Sequence, residues 1–512
     1  MKKVVLTMIG LLLLVLALSG ISYGWQGRMG GMGDPYGLVQ DESDFLINPA
    51  DIAQGQGVRF YGDYRFTYTG VTNWDYNLDQ FDTAGNLIDF FNFDTSGQEY
   101  KHDALLGAAF PVWLGRMGLF FTYDGMRGDY DGSEDVLGAK NFAEYNLTKK
   151  FDNFAVRLLY GLPVGGGVDV GAEVGLAYRN EVQKSWWNQT DMSVGTQNYI
   201  WSWNVPERNL FPFMIPYDSS YLEALWKTGV KLNLLKAIIE VNLRGGAIVT
   251  KGSDNTYRYL YGAPVGANDY NVNINGNVTG WHIGSDIWAR VPGGNPTVTF
   301  PVLVSLDYAE KKRDGGAVGT GTLDTGALYG YTHKEQSWDL KAGGGIEKKL
   351  SGNALIAGGI YYNYLQGRDD ISITRDATTR DNSEFPSRQE HKAILRLAGE
   401  KELSPTVTLR MGLNSFFGWI NEEFEFNDNG AQTDNISLDG FHWGIGASLG
   451  GTFKIPSIHI TLEPFINGGW QQYNLDGDGD RTGGSLPTLL WEMDKSRSEW
   501  SLGGGLSILY DL

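Results

Sequence analysis

The chain has 512 residues, 70 of them Gly, with 13% aromatic residues, no Cys, a formal net charge of -19 and a mean hydropathy of -0.26. The missing Cys excludes disulfides, thiolate metal centres and a lipidated N-terminal Cys, and the acidic balance argues against nucleic acid, whose phosphates it would repel. Length alone suggests roughly three or four soluble domains, yet no linker, composition shift or low-complexity tract divides the chain, so one large domain is the simpler organisation.

Residues 1–24 are expected to be a signal peptide. Lys2 and Lys3 precede an apolar run from Val4 to Leu18, and small residues follow, with the cut placed after Gly24 and a cut after Gly20 as the alternative. That run is short for a spanning helix, and no later stretch approaches eighteen uninterrupted apolar residues. If the mature chain crosses a membrane it must do so as a closed barrel, the other structure that satisfies every backbone group in lipid.

Residues 25–56 lack strand periodicity. Gly-rich turns lead to the acidic residues Asp41, Glu42 and Asp44, and Asn48-Pro49-Ala50 then breaks the backbone. The stretch GRMGGMGDPYGLVQDESDFLINPADIA resembles the N-terminal segment of FadL-type outer-membrane transporters, the long-chain fatty-acid and hydrocarbon channels. The resemblance rests on Gly27, Gly30, Gly31, Asp41, Glu42, Ser43, Asn48, Pro49 and Ala50. It implies that residues 25–56 fold inside a barrel as a plug, with Asp41, Glu42, Asp44, Asn48, Pro49 and Ala50 as its gate residues. The same residues also fit a capped turn that feeds the first strand.

From residue 57 apolar and polar residues alternate, as in strands with one face of each kind. The pattern predicts about sixteen strands, near 57–69, 102–112, 115–124, 152–162, 167–180, 221–234, 236–250, 277–291, 297–310, 336–349, 353–366, 389–402, 405–419, 439–454, 457–472 and 497–511. Tight Gly, Pro and Asn turns alternate with long polar stretches at 70–101, 125–151, 181–220, 251–276, 311–335, 367–388, 420–438 and 473–496. Short periplasmic turns and long extracellular loops, with both termini on the short side, are the layout of an outer-membrane barrel. Pro301, inside a strand, predicts a local break in the ladder. Tyr64, Tyr68, Trp419, Trp470 and Tyr510 fall near strand ends, where interfacial girdles form.

With the apolar face toward lipid, the lumen receives Arg59, Asp63, Arg65, Arg157, Asp169, Glu173, Arg179, Lys227, Lys231, Glu240, Arg244, Arg290, Asp307, Lys392, Arg396, Arg410, Glu463 and Glu499. These charges either line an aqueous pore and set its selectivity or pair with one another and with the plug. The stretch 181–220 carries Trp186, Trp187, Trp201, Trp203, Phe211 and Phe213, which either fold inward across the mouth or pack on themselves. Asp and Glu also crowd residues 129–135. In the acidic run 474–480, Asn474, Asp476 and Asp478 match the start of a calcium loop, but Ser485 stands where its bidentate Glu belongs. Calcium is thus a weak candidate, and no other cofactor is indicated. The six His residues show no metal spacing and there is no nucleophile elbow, so the chain reads as a non-enzyme.

The closing stretch SEWSLGGGLSILYDL puts Trp500, Leu502, Leu506, Ile508, Tyr510 and Leu512 on one face. It resembles the terminal strand of bacterial outer-membrane β-barrels, which the insertion machinery recognises, although Leu512 replaces the usual Phe. The expectation is an all-β chain, with residues 57–512 forming a single transmembrane antiparallel barrel of about 14–16 strands in the outer membrane of a Gram-negative-type cell, in contact with lipid and lipopolysaccharide. FadL-type barrels have fourteen strands, and the first to be discarded would be 102–112 and 115–124. The expected function is passive uptake of small molecules, hydrophobic ligands favoured. The alternatives are a scaffold for a surface or periplasmic partner, or a general porin for polar solutes.

Overall fold

The computed structural model describes residues 27–32, 38–39, 42–55, 57–136, 141–191, 198–201, 217–234, 236–250, 252–254, 258–261, 270–273, 275–318, 328–375, 381–384, 387–428, 432–482 and 489–512. The expected signal peptide lies outside them. Among the described residues, sixteen long strands follow one another in chain order around a closed antiparallel sheet. They are β1 (Arg59–Asp82), β2 (Leu87–Val112), β3 (Gly115–Val136), β4 (Asn141–Gly165), β5 (Val168–Asp191), β6 (Tyr217–Leu234), β7 (Ala237–Ile248) and β8 (Asn275–Pro292). The second half comprises β9 (Val298–Val318), β10 (Leu328–Leu350), β11 (Ala354–Arg375), β12 (Ser387–Ser404), β13 (Val407–Asp428), β14 (Gln432–Ile455), β15 (Ile460–Thr482) and β16 (Leu489–Asp511). Short strands at 198–201, 252–254, 258–261, 270–273 and 381–384 add to one rim. β1 pairs with β2 and also with β16, from Arg59 opposite Asp511 to Asp82 opposite Leu489, so the sheet has no open edge there. The count is sixteen, and 102–112 and 115–124 are both retained as the lower halves of β2 and β3.

Tight turns gather at the rim that carries both termini, the periplasmic one in the outer-membrane orientation. Trp113 and Leu114 connect β2 to β3, and residues 351–353 connect β10 to β11, where Gly352 and Asn353 take positive φ. Above this rim the outward face is apolar and exposed: Phe121, Val156, Leu176, Val302, Leu306, Ile445, Leu449 and Leu502 all point away from the lumen. Aromatic side chains bound that band. Phe60 and Tyr510 lie 6.2 Å apart on the termini side. At the other margin stand the pairs Tyr68–Trp500 (5.0 Å), Trp443–Trp470 (4.5 Å) and Tyr308–Trp338 (4.5 Å). From Phe60 to Tyr68 the band takes about nine residues, the length a tilted spanning strand needs.

The strands do not stop at the upper girdle, and here the expected long loops need correction. Residues 70–82, 125–136 and 473–482 are paired strand, and β1 turns into β2 through residues 83–86. Beyond the girdle the two faces exchange character. In β15, Asn474, Asp476 and Asp478 are exposed on the outside while Tyr473 and Leu475 are buried inside; in β14, Ser437 and Asp439 face out while Ile436 and Leu438 face in. Below the girdle the solvent for the outer face is lipid, and above it is water, so the same alternation is written with opposite sign. Asp and Gly dominate these stretches, which is why their composition imitates loops.

Pro301 breaks the ladder on one side, as its sequence position predicts. Pairing of β9 with β10 halts at Thr299–Glu347 and resumes at Val302–Gly344, while on the β8 side Pro301 stays opposite Arg290. Pro464 leaves a matching gap between β14 and β15, from Gly450–Phe465 to Phe453–Leu462. The register is kept across both gaps, because Pro removes a donor without adding a residue.

The exchange of faces makes a test. Leu449→Arg, in the lipid band, should cost about 2–4 kcal/mol of folding stability. Asp476→Arg, on the outer face above it, should change stability by no more than about 0.5 kcal/mol. Urea titration of folding into lipid vesicles measures both, and equal costs would refute a band that ends at the upper girdle.

Candidate functional site

The described part of residues 27–55 lies inside the barrel, toward the rim with the termini, and crosses it from wall to wall. The short helix α1 (Gly27–Gly31) rests on β13–β16, where a Cβ at Gly30 would meet the Phe465 ring at 2.6 Å. Arg28 Nε donates to Glu400 Oε2 at 2.9 Å; Arg410 Nε donates to the same oxygen at 2.7 Å and reaches Glu463 at 3.2 Å. Met29, Met32, Leu38 and Val39 are buried with Ala357 and Ala398 of β11 and β12. A 3-10 turn, Glu42–Leu46, then puts Phe45 between Tyr61 (5.4 Å) and Phe120 (5.2 Å), in a cluster with Leu105, Ala109, Leu159 and Leu509. At roughly 1.5–3 kcal/mol for each large apolar side chain withdrawn from water, these contacts outweigh the ion pairs in holding the segment.

The third anchor is Asn48-Pro49-Ala50. Asn48 caps the 3-10 turn Pro49–Gln54: its side-chain oxygen accepts from Ala50 N at 3.1 Å, and Pro49, with no N–H of its own, suits the first position. Its amide nitrogen donates to Val230 O in β6 at 3.4 Å, so one side chain both makes the turn and docks it. Two wall glycines permit this approach. A Cβ at Gly171 would fall on the backbone of Pro49 and Ala50, and one at Gly229 on the Asn48 side chain.

Beside this turn, Lys231 pairs with Asp51 of the segment and with Glu240 of β7, at 3.3 Å from the latter. Gln54 donates to Asp169 at 2.9 Å, and Lys227 donates to the Leu46 carbonyl. Two buried carboxylates thus share one ammonium. Burial, reinforced by the neighbouring Glu240, pushes the Asp51 carboxyl up to about 7 although Lys231 acts in the opposite sense.

Of the residues singled out from the sequence, Asn48, Pro49, Ala50 and Asp44 are buried in the segment. Glu42 is described only as backbone of its turn, and Asp41 lies outside the described residues. Arg28, Asp51 and Gln54, which reach the wall, were missed. The only signal for Asp51 was its place directly after the Asn-Pro-Ala motif.

The expected lumen charges do face inward, and most form a belt along the wall. Arg157 meets Glu173 at 2.9 Å, Glu173 meets Lys227 at 3.6 Å, and Arg244 joins Asp286 to Asp307. Arg59 pairs with Asp511, Asp63 is buried, Arg65 lies 5.8 Å from the Phe465 ring, and Arg396 lies 5.4 Å from that of Tyr361. Trp186 and Trp187 belong to β5, opposite the short strand that ends at Trp201, so 181–191 is wall rather than loop. Trp203, Phe211 and Phe213 lie outside the described residues.

Asn474, Asp476 and Asp478 also need correction. They stand on the outer face of a strand, with Asp476 opposite Asp439 and Asp494, and do not wrap a loop. Among the described residues no group of three His, Asp or Glu is arranged to hold a metal ion.

Cavities remain on both sides of the segment. One of about 670 Å³ opens beneath it among Arg28, Asp51, Arg116 and Glu347. Another, of about 910 Å³, lies above among Arg179, Glu223, Lys311, Glu335 and Lys495.

Fold and lumen together define a transmembrane β-barrel of the outer-membrane type, crossed internally by its own N-terminal segment. No protein-family model and no curated relative matches the chain. Among solved structures it is similar to a FadL homologue of Pseudomonas aeruginosa, at 10% identity over 96% of this chain and 100% of the other, with a TM-score of 0.40. The toluene transporter TodX of P. putida is similar at 9% identity over 94% and 98%, with a TM-score of 0.35, and the monoaromatic hydrocarbon channel CymD at 11% over 94% and 96%, with 0.32.

Gly171→Leu should displace the Asn48 turn and expose the segment to protease in the folded barrel, while Gly62→Ala, with no atom within 4 Å of the added Cβ, should not. The Asp51 carboxyl binds its proton more tightly when docked, near pH 7, than at the usual 3.8. Docking therefore loses stability as pH rises from about 4 to about 7 and is level above that. Protease protection of the segment should fall between about pH 4 and pH 7, and Asp51→Asn should flatten the fall. An unchanged slope in that variant would assign the dependence elsewhere.

Proposed function

We propose that the protein is an outer-membrane channel for small molecules, closed near its periplasmic rim by its own N-terminal segment. The observation that carries this reading is the position of the described part of residues 27–55, which spans the lumen between three parts of the wall and leaves space above and below. A scaffold would need neither a vestibule nor a segment held by a few apolar anchors and ion pairs. Export, orientation in the membrane and contact with lipid and lipopolysaccharide follow from the same reading, with β16 as the strand offered to the insertion machinery.

Hydrophobic ligands are favoured by the resemblance of residues 27–53 to the FadL-type segment and by the inward-facing Ile436, Leu438 and Leu475 above the girdle. A second reading, a channel for polar solutes, is favoured by the belt of charges that lines the lumen within the membrane. Passage in either case needs the segment to move, and Asn48-Pro49-Ala50 with Asp51 is the contact that must release.

Single-channel recording in planar bilayers tests this. The intact protein should be closed, and a variant lacking residues 27–54 should show large, stable conductance. Stable conductance in the intact protein would replace the proposal with an open porin. Silence in both, with the barrel shown to be inserted, would favour the scaffold.

A further inference from the structure

The outer wall carries the same arrangement twice. On β3 and β4 the girdle pair Tyr123 and Phe154, 4.7 Å apart, is followed two residues further up by Asp152 and four residues further up by Arg127 directly opposite Lys150. On β9 and β10 the girdle pair Tyr308 and Trp338 is followed in the same steps by Glu310 and by Lys312 directly opposite Lys334. In each copy the girdle tyrosine hydroxyl donates to the carboxylate, Tyr123 to Asp152 at 2.9 Å and Tyr308 to Glu310 at 3.0 Å. The four cations face outward, alternating with Tyr130, Leu147, Arg313 and His333, which are buried on the lumen side.

Like charges directly opposite each other in a sheet repel, and one carboxylate serves each pair. Asp152 takes both Arg127 and Lys150, at 3.0 Å each. Glu310 takes Lys334 at 3.1 Å, and Lys312 makes no ion pair among the described residues. Asp370, opposite Lys334, binds Arg368 at 2.8 Å. Asp129, above Arg127, accepts from Thr148 at 3.1 Å, and among the described residues neither it nor Asp314, above Lys312, pairs with these cations. The ion pairs draw the charged ends down toward the rings. Asp152 and Glu310 stand two residues above the girdle, about 5 Å at the usual rise and tilt. That is the level of the polar headgroups, just outside the hydrocarbon.

We propose that each copy binds the phosphate of an anionic lipid in the leaflet around the upper girdle. The two opposed cations hold the phosphate oxygens, and their repulsion is relieved by the charge placed between them. The acyl chains lie on the apolar band directly below, over Phe121 and Val156 in one copy and Val304 and Leu306 in the other. This continuity with the lipid-facing surface fits a lipid and not a soluble phosphate. The inference goes beyond the channel reading: it needs only that the upper girdle mark a membrane surface, and it holds whether or not the barrel conducts.

Native mass spectrometry of the intact protein in a neutral detergent, with diphosphoryl lipid A added, is the direct test. Two retained lipids per barrel are expected, one for each copy. Arg127→Gln with Lys150→Gln should lose one, and Lys312→Gln with Lys334→Gln the other, whereas Lys236→Gln, at the opposite rim, should lose neither. Heat-modifiable gel migration checks that each variant is folded. If a double variant is not, Lys312→Gln alone, which breaks no ion pair, should weaken one site roughly tenfold. Full retention in the folded variants, equal retention of phosphatidylcholine, or displacement of the lipid by inorganic phosphate at equal concentration would each overturn the proposal.

Discussion

In lipid a peptide group has no partner except another peptide group, and each one left alone costs several kcal/mol. That constraint explains why the chain closes on itself, with Arg59 opposite Asp511, and why sixteen strands follow in strict sequence order. It also makes the two proline gaps informative. Pro301 and Pro464 are tolerated because each interrupts pairing on one side only, leaving the β8 and β16 ladders to carry the strand. Everything placed in the lumen depends on this wall being continuous, since the wall's inward residues are the partners of the N-terminal segment.

Much of the barrel was legible because its alternation is two-sided information. From Phe441 to Lys454, apolar and polar residues alternate, and the structure keeps the face assignment the pattern implies. Legibility failed where the outer solvent changes. In 473–480 the alternation continues, but its large apolar members, Tyr473 and Leu475, now point inward and its acidic members outward. A pattern read for one solvent on one face cannot register that exchange, so it reads strand as loop and a ladder of carboxylates as the start of a calcium loop.

The site was legible in part, for a different reason. Asn48-Pro49-Ala50 is a local signal, since a capped turn is made by neighbours in sequence. Its partners are not: Asp51 meets Lys231 across 180 positions, and Arg28 meets Glu400 across 372. Barrel closure decides which charge stands opposite which, and no spacing in the chain encodes it. Asn48 shows how economical the result is, because the residue that shapes the turn also ties it to Val230. Losing the wall contact therefore loosens the turn itself.

The strands that outrun the membrane have a consequence for how anything reaches this protein. About fourteen residues of β1 lie beyond Tyr68, and at the usual rise and tilt they lift the rim roughly 35 Å above the upper girdle. The barrel is a chimney, its mouth set well clear of the lipid headgroups, and carboxylates such as Asp476, Asp478 and Asp494 face water on the outside of its upper wall. Whatever meets that mouth comes from bulk water and not from the crowded layer at the membrane surface, past an outer wall that carries exposed negative charge.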